Sequence, residues 1–366
     1  MRIDGTAYRT IFVAEDEGDV TVIDQTRLPF EFVLRQLRTL GDAVSSIRDM
    51  VVRGAPLIGI TAAYGVALAM RADASDTQLE RALADLAATR PTAVNLHWAL
   101  SRMREALRPL PVAQRRSRAY AEAVAMADAD VADCAAIGRH GLELLRQIHL
   151  RKASPEPVHV LTHCNAGWLA CVDWGTALAP VYAAHGAGIP VHVYVDETRP
   201  RSQGALLTAF ELGAHGVPHT VIADNTGGHL MQHGRIDICL VGSDRTTSSG
   251  DVANKIGTYL KALAARDNGV PFYAALPSST IDWTLDDGVR QIPIEERSSR
   301  EVTHVRGRTA AGDVAEVQVV APGSAALNPG FDVTPARLVS GIITERGIAT
   351  ASRAGLLALF HERARA

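Results

Sequence analysis

The chain has 366 residues, enough for two domains at roughly 150 residues each, and its 47% apolar and 21% charged content is ordinary globular composition that can form a sizeable core. A net charge of −3 gives no electrostatic reason to expect nucleic acid, which usually demands a strongly basic face, while leaving room for a local cationic pocket around a phosphorylated metabolite. The four cysteines, Cys134, Cys164, Cys171 and Cys239, form no CxxC pair, which argues against a zinc ribbon or a disulfide framework and fits a reducing cytoplasm.

The N-terminal run MRIDGTAYRT has no apolar core of a secretory signal, so a cytoplasmic protein is expected. Gly, Thr and charged residues break every long apolar stretch, so neither a transmembrane helix nor membrane contact is expected. Two β-rich runs, Tyr8–Val13 and Val20–Ile23, open the chain and lead to a turn around Leu28–Pro29. Helical patterns follow to about residue 150. Ser75 with Gln78 reads as a capping box, and Leu79, Leu83 and Leu86 follow at helical spacing. Leu96, Leu100, Met103 and Leu107 repeat the stripe until Pro109 and Pro111 end it, and an Ala-rich run predicts a further helix over 112–148.

The charged, proline-containing stretch Arg151–Pro157 is the expected boundary between domains at 1–150 and 151–366. Beyond it, short apolar runs recur at Val158–Thr162, Val191–Val195, Thr220–Ala223, Ile236–Gly242 and Phe272–Leu276. Helix-length segments such as Thr176–His185, Gly204–Leu212 and Asn254–Asp267 separate most of them. Nearly continuous apolar strands alternating with helices predict an α/β fold, a Rossmann-like, doubly wound parallel sheet covered on both faces. No GxGxxG follows the first strand, so dinucleotide binding has no support. Thr334-Pro335 reads as an N-cap with proline at the first helical position, predicting a helix that carries Leu338 and Ile342 on one face.

Ligands of open parallel sheets collect beyond the carboxyl ends of the strands, and four polar, glycine-containing loops follow these runs: HCNAG, DETRPRSQGA, DNTGG and GSDRTTSSGDVANK. Cys164 in the first is either an inert small hydrophobe or a reactive thiol just past a strand end. Neighbours on an extended chain point to opposite sides, so His163 implies no Cys–His pair. Asp244 in the last loop is either a turn residue paired with Arg245 or a desolvated carboxyl whose raised pKa suits a general acid. Arg53-Gly54-Ala55, Arg90, Gln203 and Asn254-Lys255 are candidates for phosphate: Arg offers a planar fork, Gly54 a close backbone approach, and Asn254-Lys255 an expected helix start. No histidine shows metal-ligand spacing, so no metal is expected.

The runs VVRGAPLIGITAAYGVAL (51–68), RPTAVNLHWAL (90–100), LTHCNAGWLA (161–170), DETRPRSQGALLTAFEL (196–212), IDICLVGSDRTTSSGDVANKIGTY (236–259), IEER (294–297) and NPGFDVTPARLVSGIITERG (328–347) resemble the methylthioribose-1-phosphate isomerase family in the same order along nearly the whole chain. The resemblance implies a mostly helical N-terminal domain with a small antiparallel sheet, a Rossmann-like C-terminal domain, a homodimer, a sugar-phosphate substrate, no cofactor and a role in methionine salvage. It carries the family's catalytic cysteine to Cys164 and its catalytic aspartate to Asp244. The family's substrate-binding positions fall on Arg53, Gly54, Ala55, Arg90, Gln203, Asn254 and Lys255.

Ser243 and Leu206 stand where the family usually has Ala and Arg, and Trp168, Cys171 and Trp174 are further departures. These bear on the pocket for the sugar's 5-substituent rather than on the catalytic positions. The related alternatives are isomerases of 5-deoxyribose 1-phosphate or of ribose 1,5-bisphosphate; the second needs another cationic cluster, which is not legible in the sequence. The rival of another class is a regulatory subunit related to the translation-initiation exchange factor 2B.

Overall fold

The computed structural model describes residues 1–13, 18–152 and 156–365. Strands Ile11–Val13 and Val20–Ile23 pair antiparallel and are joined by Leu34–Leu37, a short, mostly exposed third strand with no apolar alternation to announce it. Helices α1 (Leu40–Arg48), α2 (Ala55–Ala72), α3 (Asp76–Ala87), α4 (Val94–Leu107) and α5 (Val112–His149) follow. The Ser75 hydroxyl accepts from Gln78 N as expected, but Ser75 N donates to Asp73 Oδ1, so Asp73 takes the other half of the box. The predicted stripes of α3 and α4 are buried.

These stripes close around α2, which packs against α1, α3, α4 and α5. By length and composition α2 is apolar enough to cross a membrane, a property that Gly59, Thr61 and Gly65 mask in the sequence; 89% of it is buried within the protein. An all-round apolar helix of this kind is the core element of a helical layer.

Part of the expected boundary stretch, residues 153–155, lies outside the described residues. Beyond it the main sheet runs in the order His219–Ile222, Val191–Asp196, Val158–Thr162, Ile238–Val241, Phe272–Ala275, Gly341–Thr344, with Gly347–Ala349 antiparallel at one edge. All other neighbours are parallel. Numbered along the chain, the six parallel strands read 3-2-1-4-5-6, the doubly wound order. Val160, Leu240 and Ile343 join a core on one face of the sheet while Leu161, Cys239 and Ile342 join another, so the central strands are buried on both sides. Helices α6 (Ala179–Gly186), α7 (Ala209–Ala214, preceded by a π turn over Gly204–Thr208), α8 (Thr226–Gln232) and α9 (Thr258–Asp267) connect the strands.

Two sequence expectations are corrected. The helix expected from Asn254 begins only at Thr258, because Val252–Lys255 is a buried strand paired with Phe331–Thr334 in a second, four-stranded sheet. Gly257, at φ 103°, breaks the chain between strand and helix, and the Asp332 carboxylate accepts from Gly257 N and Tyr259 N. The helix expected after Pro335 is a single 3-10 turn, Ala336–Leu338. The β-branched run Ile342-Ile343-Thr344 completes the parallel sheet beside Phe272–Ala275 instead, where burial on both faces outweighs the capping signal.

Candidate active site

Strand order reverses between Val158–Thr162 and Ile238–Val241, the place where a doubly wound sheet opens a crevice at its carboxyl edge. Cys164 follows the first of these strands and Asp244 the second. One cleft is lined by all nine residues singled out in the sequence: Arg53, Gly54, Ala55, Arg90, Cys164, Gln203, Asp244, Asn254 and Lys255. Asn165, Ser243 and Phe331 line it too.

The N-terminal layer supplies one wall. Gly54 caps α2 with φ 101°, and a Cβ there would lie 2.5 Å from Ala170 Cα, so this turn needs glycine. No side chain caps α2, which leaves its N-terminal N–H groups and positive dipole end for an anion. The uncapped helix start at the cleft is therefore Gly54–Ala55 and not Asn254–Lys255. Lys255 reaches the cleft from its strand, where Nζ donates to Gly330 O at 2.7 Å and lies 4.5 Å from the centre of the Phe331 ring. Asn254 Nδ2 donates to Thr258 Oγ1 at 3.0 Å. Arg90 donates through Nη2 to Glu295 Oε2 at 2.9 Å, while Arg90 Nε and Gln203 Oε1 are buried polar atoms with no protein partner.

The loop that carries Cys164 is held from behind. Cys164 takes φ 67°, a left-handed conformation that costs on the order of 1–2 kcal/mol for a residue with a Cβ. Thr198 Oγ1 accepts from Cys164 N at 2.8 Å and Thr208 Oγ1 donates to Cys164 O at 2.7 Å, which keep it there. Arg53 donates to both the side chain and the backbone carbonyl of Asn165, Asn165 Nδ2 donates to Glu211, and Trp168 N donates to Glu211 Oε2. His163 does not face Cys164: its Nδ1 lies 2.9 Å from Asp196 Oδ2 and its Nε2 2.8 Å from Ile256 O. Lys261 Nζ, 3.2 Å from Asp196, adds a cation to this buried group. Sequence reasoning missed Asn165 and Glu211. Asn165 had a signal in its place beside Cys164; Glu211 had none, since an acid within the helical run AFELGA reads as an exposed face.

Electrostatics separate the two central groups from ordinary ones. Burial pushes the Asp244 carboxyl up, against the pull of Lys255, Arg90 and Arg53, although part of its surface still opens on the cleft. Burial also pushes the Cys164 thiol up despite Arg53 and Lys255. The shift disfavours a thiolate at rest near neutral pH. Burial lowers the Lys255 ammonium, and Cys164 and Asp244 oppose that shift.

Glu211, wholly buried, is pushed up to about 7 by desolvation, against its hydrogen bonds from Asn165 and Trp168. Its unfolded-state value is lower, so the neutral form stabilises the fold at acid pH. That advantage is lost as pH rises from about 4.5 to about 7. Relative to Glu211→Gln, the wild-type protein is expected to lose stability on the order of 3 kcal/mol across that window and then level off. Chemical denaturation of both proteins between pH 4 and 8 checks it: parallel profiles would contradict a buried, neutral Glu211.

Comparison with known proteins gives a consistent set of relatives. The Initiation factor 2 subunit family matches residues 51–351. The chain is 69% identical over its full length, and the relative's, to a protein named methylthioribose-1-phosphate isomerase in Methylorubrum extorquens. It is 65% identical to one of the same name in Rhodospirillum centenum, covering all of this chain and 97% of the relative. Among solved structures it resembles 5-methylthioribose 1-phosphate isomerase from Pyrococcus horikoshii OT3, with TM-score 0.83 and 37% identity over 99% of this chain and all of the other. It also resembles the translation initiation factor eIF-2B, subunit delta, from A. fulgidus, with TM-score 0.79 and 35% identity over 97% of this chain and all of that one.

Proposed function

The chain belongs to the Initiation factor 2 subunit family and, within it, to the methylthioribose-1-phosphate isomerases, and from that premise we propose that it converts 5-methylthioribose 1-phosphate to 5-methylthioribulose 1-phosphate. The observation that carries the reading is the pairing of Cys164 and Asp244 at the switch-point cleft beside an uncapped helix N-terminus, Arg53 and Lys255. The last three form a phosphate-binding wall, with Arg90 and Gln203 offering unpartnered polar atoms to the sugar phosphate.

The phosphate on C1 prevents free ring opening, so the first need is a proton on the ring oxygen as the C1–O4 bond breaks. Asp244, whose hold on its proton burial strengthens, supplies it. The resulting electron-poor C1 then takes hydrogen from C2, and loss of the C2 hydroxyl proton to the Asp244 carboxylate gives the ketone and restores the acid. The upward-shifted Cys164 thiol favours hydride migration from C2 to C1 over abstraction by a thiolate. Cys164 in this account shields and stabilises the migrating centre in a water-poor pocket.

The test is phosphorus and proton NMR of the purified protein with 5-methylthioribose 1-phosphate, beside Cys164→Ser. The expected result is replacement of the glycosyl-phosphate signal by that of a primary phosphate ester, lost in the variant. Turnover unaffected by Cys164→Ser would remove Cys164 from the mechanism, and no turnover would remove the function.

A further inference from the structure

We infer that His163 is a positioning residue for the reaction: with a proton on each ring nitrogen, it ties the loop of Cys164 to the turn that follows Lys255 and so holds two sides of the cleft against each other. The inference rests on the proposed isomerase reading for what is positioned, and on hydrogen bonding alone for the state of the ring.

The ring is buried, and both its nitrogens face oxygens. Nε2 lies 2.8 Å from Ile256 O, a carbonyl that only accepts, and Nδ1 lies 2.9 Å from Asp196 Oδ2. A neutral imidazole has one N–H, so it would turn a lone pair on one of these oxygens. A proton on Asp196 would answer Nδ1, but Lys261 Nζ lies 3.2 Å from the same Oδ2, where an ammonium and a carboxyl proton would compete for one oxygen. Both contacts are made together when the ring is an imidazolium that donates to each. The surroundings suit that charge. His163, Asp196 and Asp224 each bring a ring nitrogen or carboxylate oxygen within 4.8 Å of the others. Such a trio is a possible metal site, yet Lys261 Nζ, which also donates to Asp224 O, already stands there as a cation. Asp332, which accepts from Gly257 N and Tyr259 N, is a third carboxylate that feels the ring's charge.

Each end of this link is one residue away from a group of the cleft: His163 precedes Cys164, and Ile256 follows Lys255. Asp196 reaches Cys164 by a second path, since Thr198 Oγ1 donates to Asp196 O and accepts from Cys164 N. Gly257 closes over the ring, and a Cβ there would lie 3.0 Å from His163 Cε1. The ring therefore joins strand Val158–Thr162 of the main sheet to strand Val252–Lys255 of the second sheet, at the point where Cys164 is held at φ 67°. A displacement of about 1 Å between the two is enough to cost about a hundredfold in rate.

The test joins two measurements. Nitrogen NMR of the histidine rings in wild-type protein near neutral pH, with His163 assigned by loss of its signals in a variant, reads the ring directly. Steady-state kinetics with 5-methylthioribose 1-phosphate give kcat and KM for His163→Asn, His163→Gln and His163→Leu. Asn offers an N–H to Asp196, Gln one to Ile256 O, and Leu neither. The expected spectrum has a proton on both nitrogens of His163. The expected kcat is lower by about a hundredfold in His163→Leu and by about tenfold in the two amide variants. KM should stay within about threefold of wild type, because Arg53 and the α2 N-terminus hold the phosphate from the other wall. A merely structural His163 would lower Tm and leave kcat of the folded variants unchanged. That result, a rise in KM alone, or a His163 nitrogen without a proton would overturn the inference and leave the isomerase reading intact. Should His163→Leu not fold, the two amide variants and the wild-type spectrum decide. No turnover by wild-type protein would remove the reaction and, with it, the positioning role.

Discussion

Asp244→Asn is expected to lower kcat by about a thousandfold while changing KM by no more than about threefold. A positioned general acid contributes roughly 10²–10⁴ in rate, and here the same group gives and later retakes a proton. Asn keeps the shape and hydrogen-bonding reach of the carboxyl but cannot donate an acidic proton. Because burial already favours the neutral form of Asp244, the substitution changes little of the field felt by the phosphate, whose partners Arg53, Lys255 and the α2 N-terminus remain. Steady-state kinetics with a substrate-induced shift in Tm separate the two quantities. The pH profile carries a further signature. The active form is the protonated one, and its pKa lies above that of a surface carboxyl, so wild-type activity persists beyond the acid range and falls as pH rises past the shifted value. A variant with full turnover would exclude Asp244 as the acid.

Cys164→Ser is expected to cost at least about a hundredfold in kcat, again with binding retained. Serine is smaller and less polarisable than cysteine, and the left-handed position that Cys164 occupies holds either residue's β-carbon at the same point of the cleft. The upward shift of the thiol gives a second readout. Alkylation proceeds through the thiolate, so iodoacetamide should label Cys164 more slowly than a free cysteine at pH 7, with the rate still climbing at pH 9. Peptide mass spectrometry of labelled protein measures this, and bound substrate should protect. Rapid labelling at pH 7 would mean a pre-formed thiolate and would restore the proton-abstraction route.

Much of this site is legible in the chain because the loops that carry Cys164 and Asp244 each follow an uninterrupted apolar strand. Val158–Thr162 and Ile238–Val241 are buried on both faces, and continuous apolar runs are how such strands read. That pattern puts Cys164 and Asp244 at the carboxyl edge, but only the observed order 3-2-1-4-5-6 brings those two loops side by side. Pairing partners far apart in sequence decide strand order, and no local signal records them.

Local signals misled where long-range pairing overruled them. Asn254–Lys255 precedes a helical pattern, yet pairing with Phe331–Asp332 makes it strand. The antiparallel hairpin of His304–Arg308 and Val314–Gln318 was not anticipated either, because it is largely exposed and its charged residues leave no apolar alternation. The Arg53–Asn165–Glu211 chain of hydrogen bonds links residues from three distant segments, so its acid looks like any helical surface glutamate until the fold buries it.

The most direct measurement is a proton NMR time course of wild-type protein with 5-methylthioribose 1-phosphate deuterated at C2. Conversion to the ketose phosphate with the deuterium retained at C1 is expected, as hydride migration beside a neutral Cys164 thiol requires. Complete replacement of that deuterium by solvent protium would contradict the hydride step, and unchanged substrate in the presence of folded protein would contradict the isomerase itself.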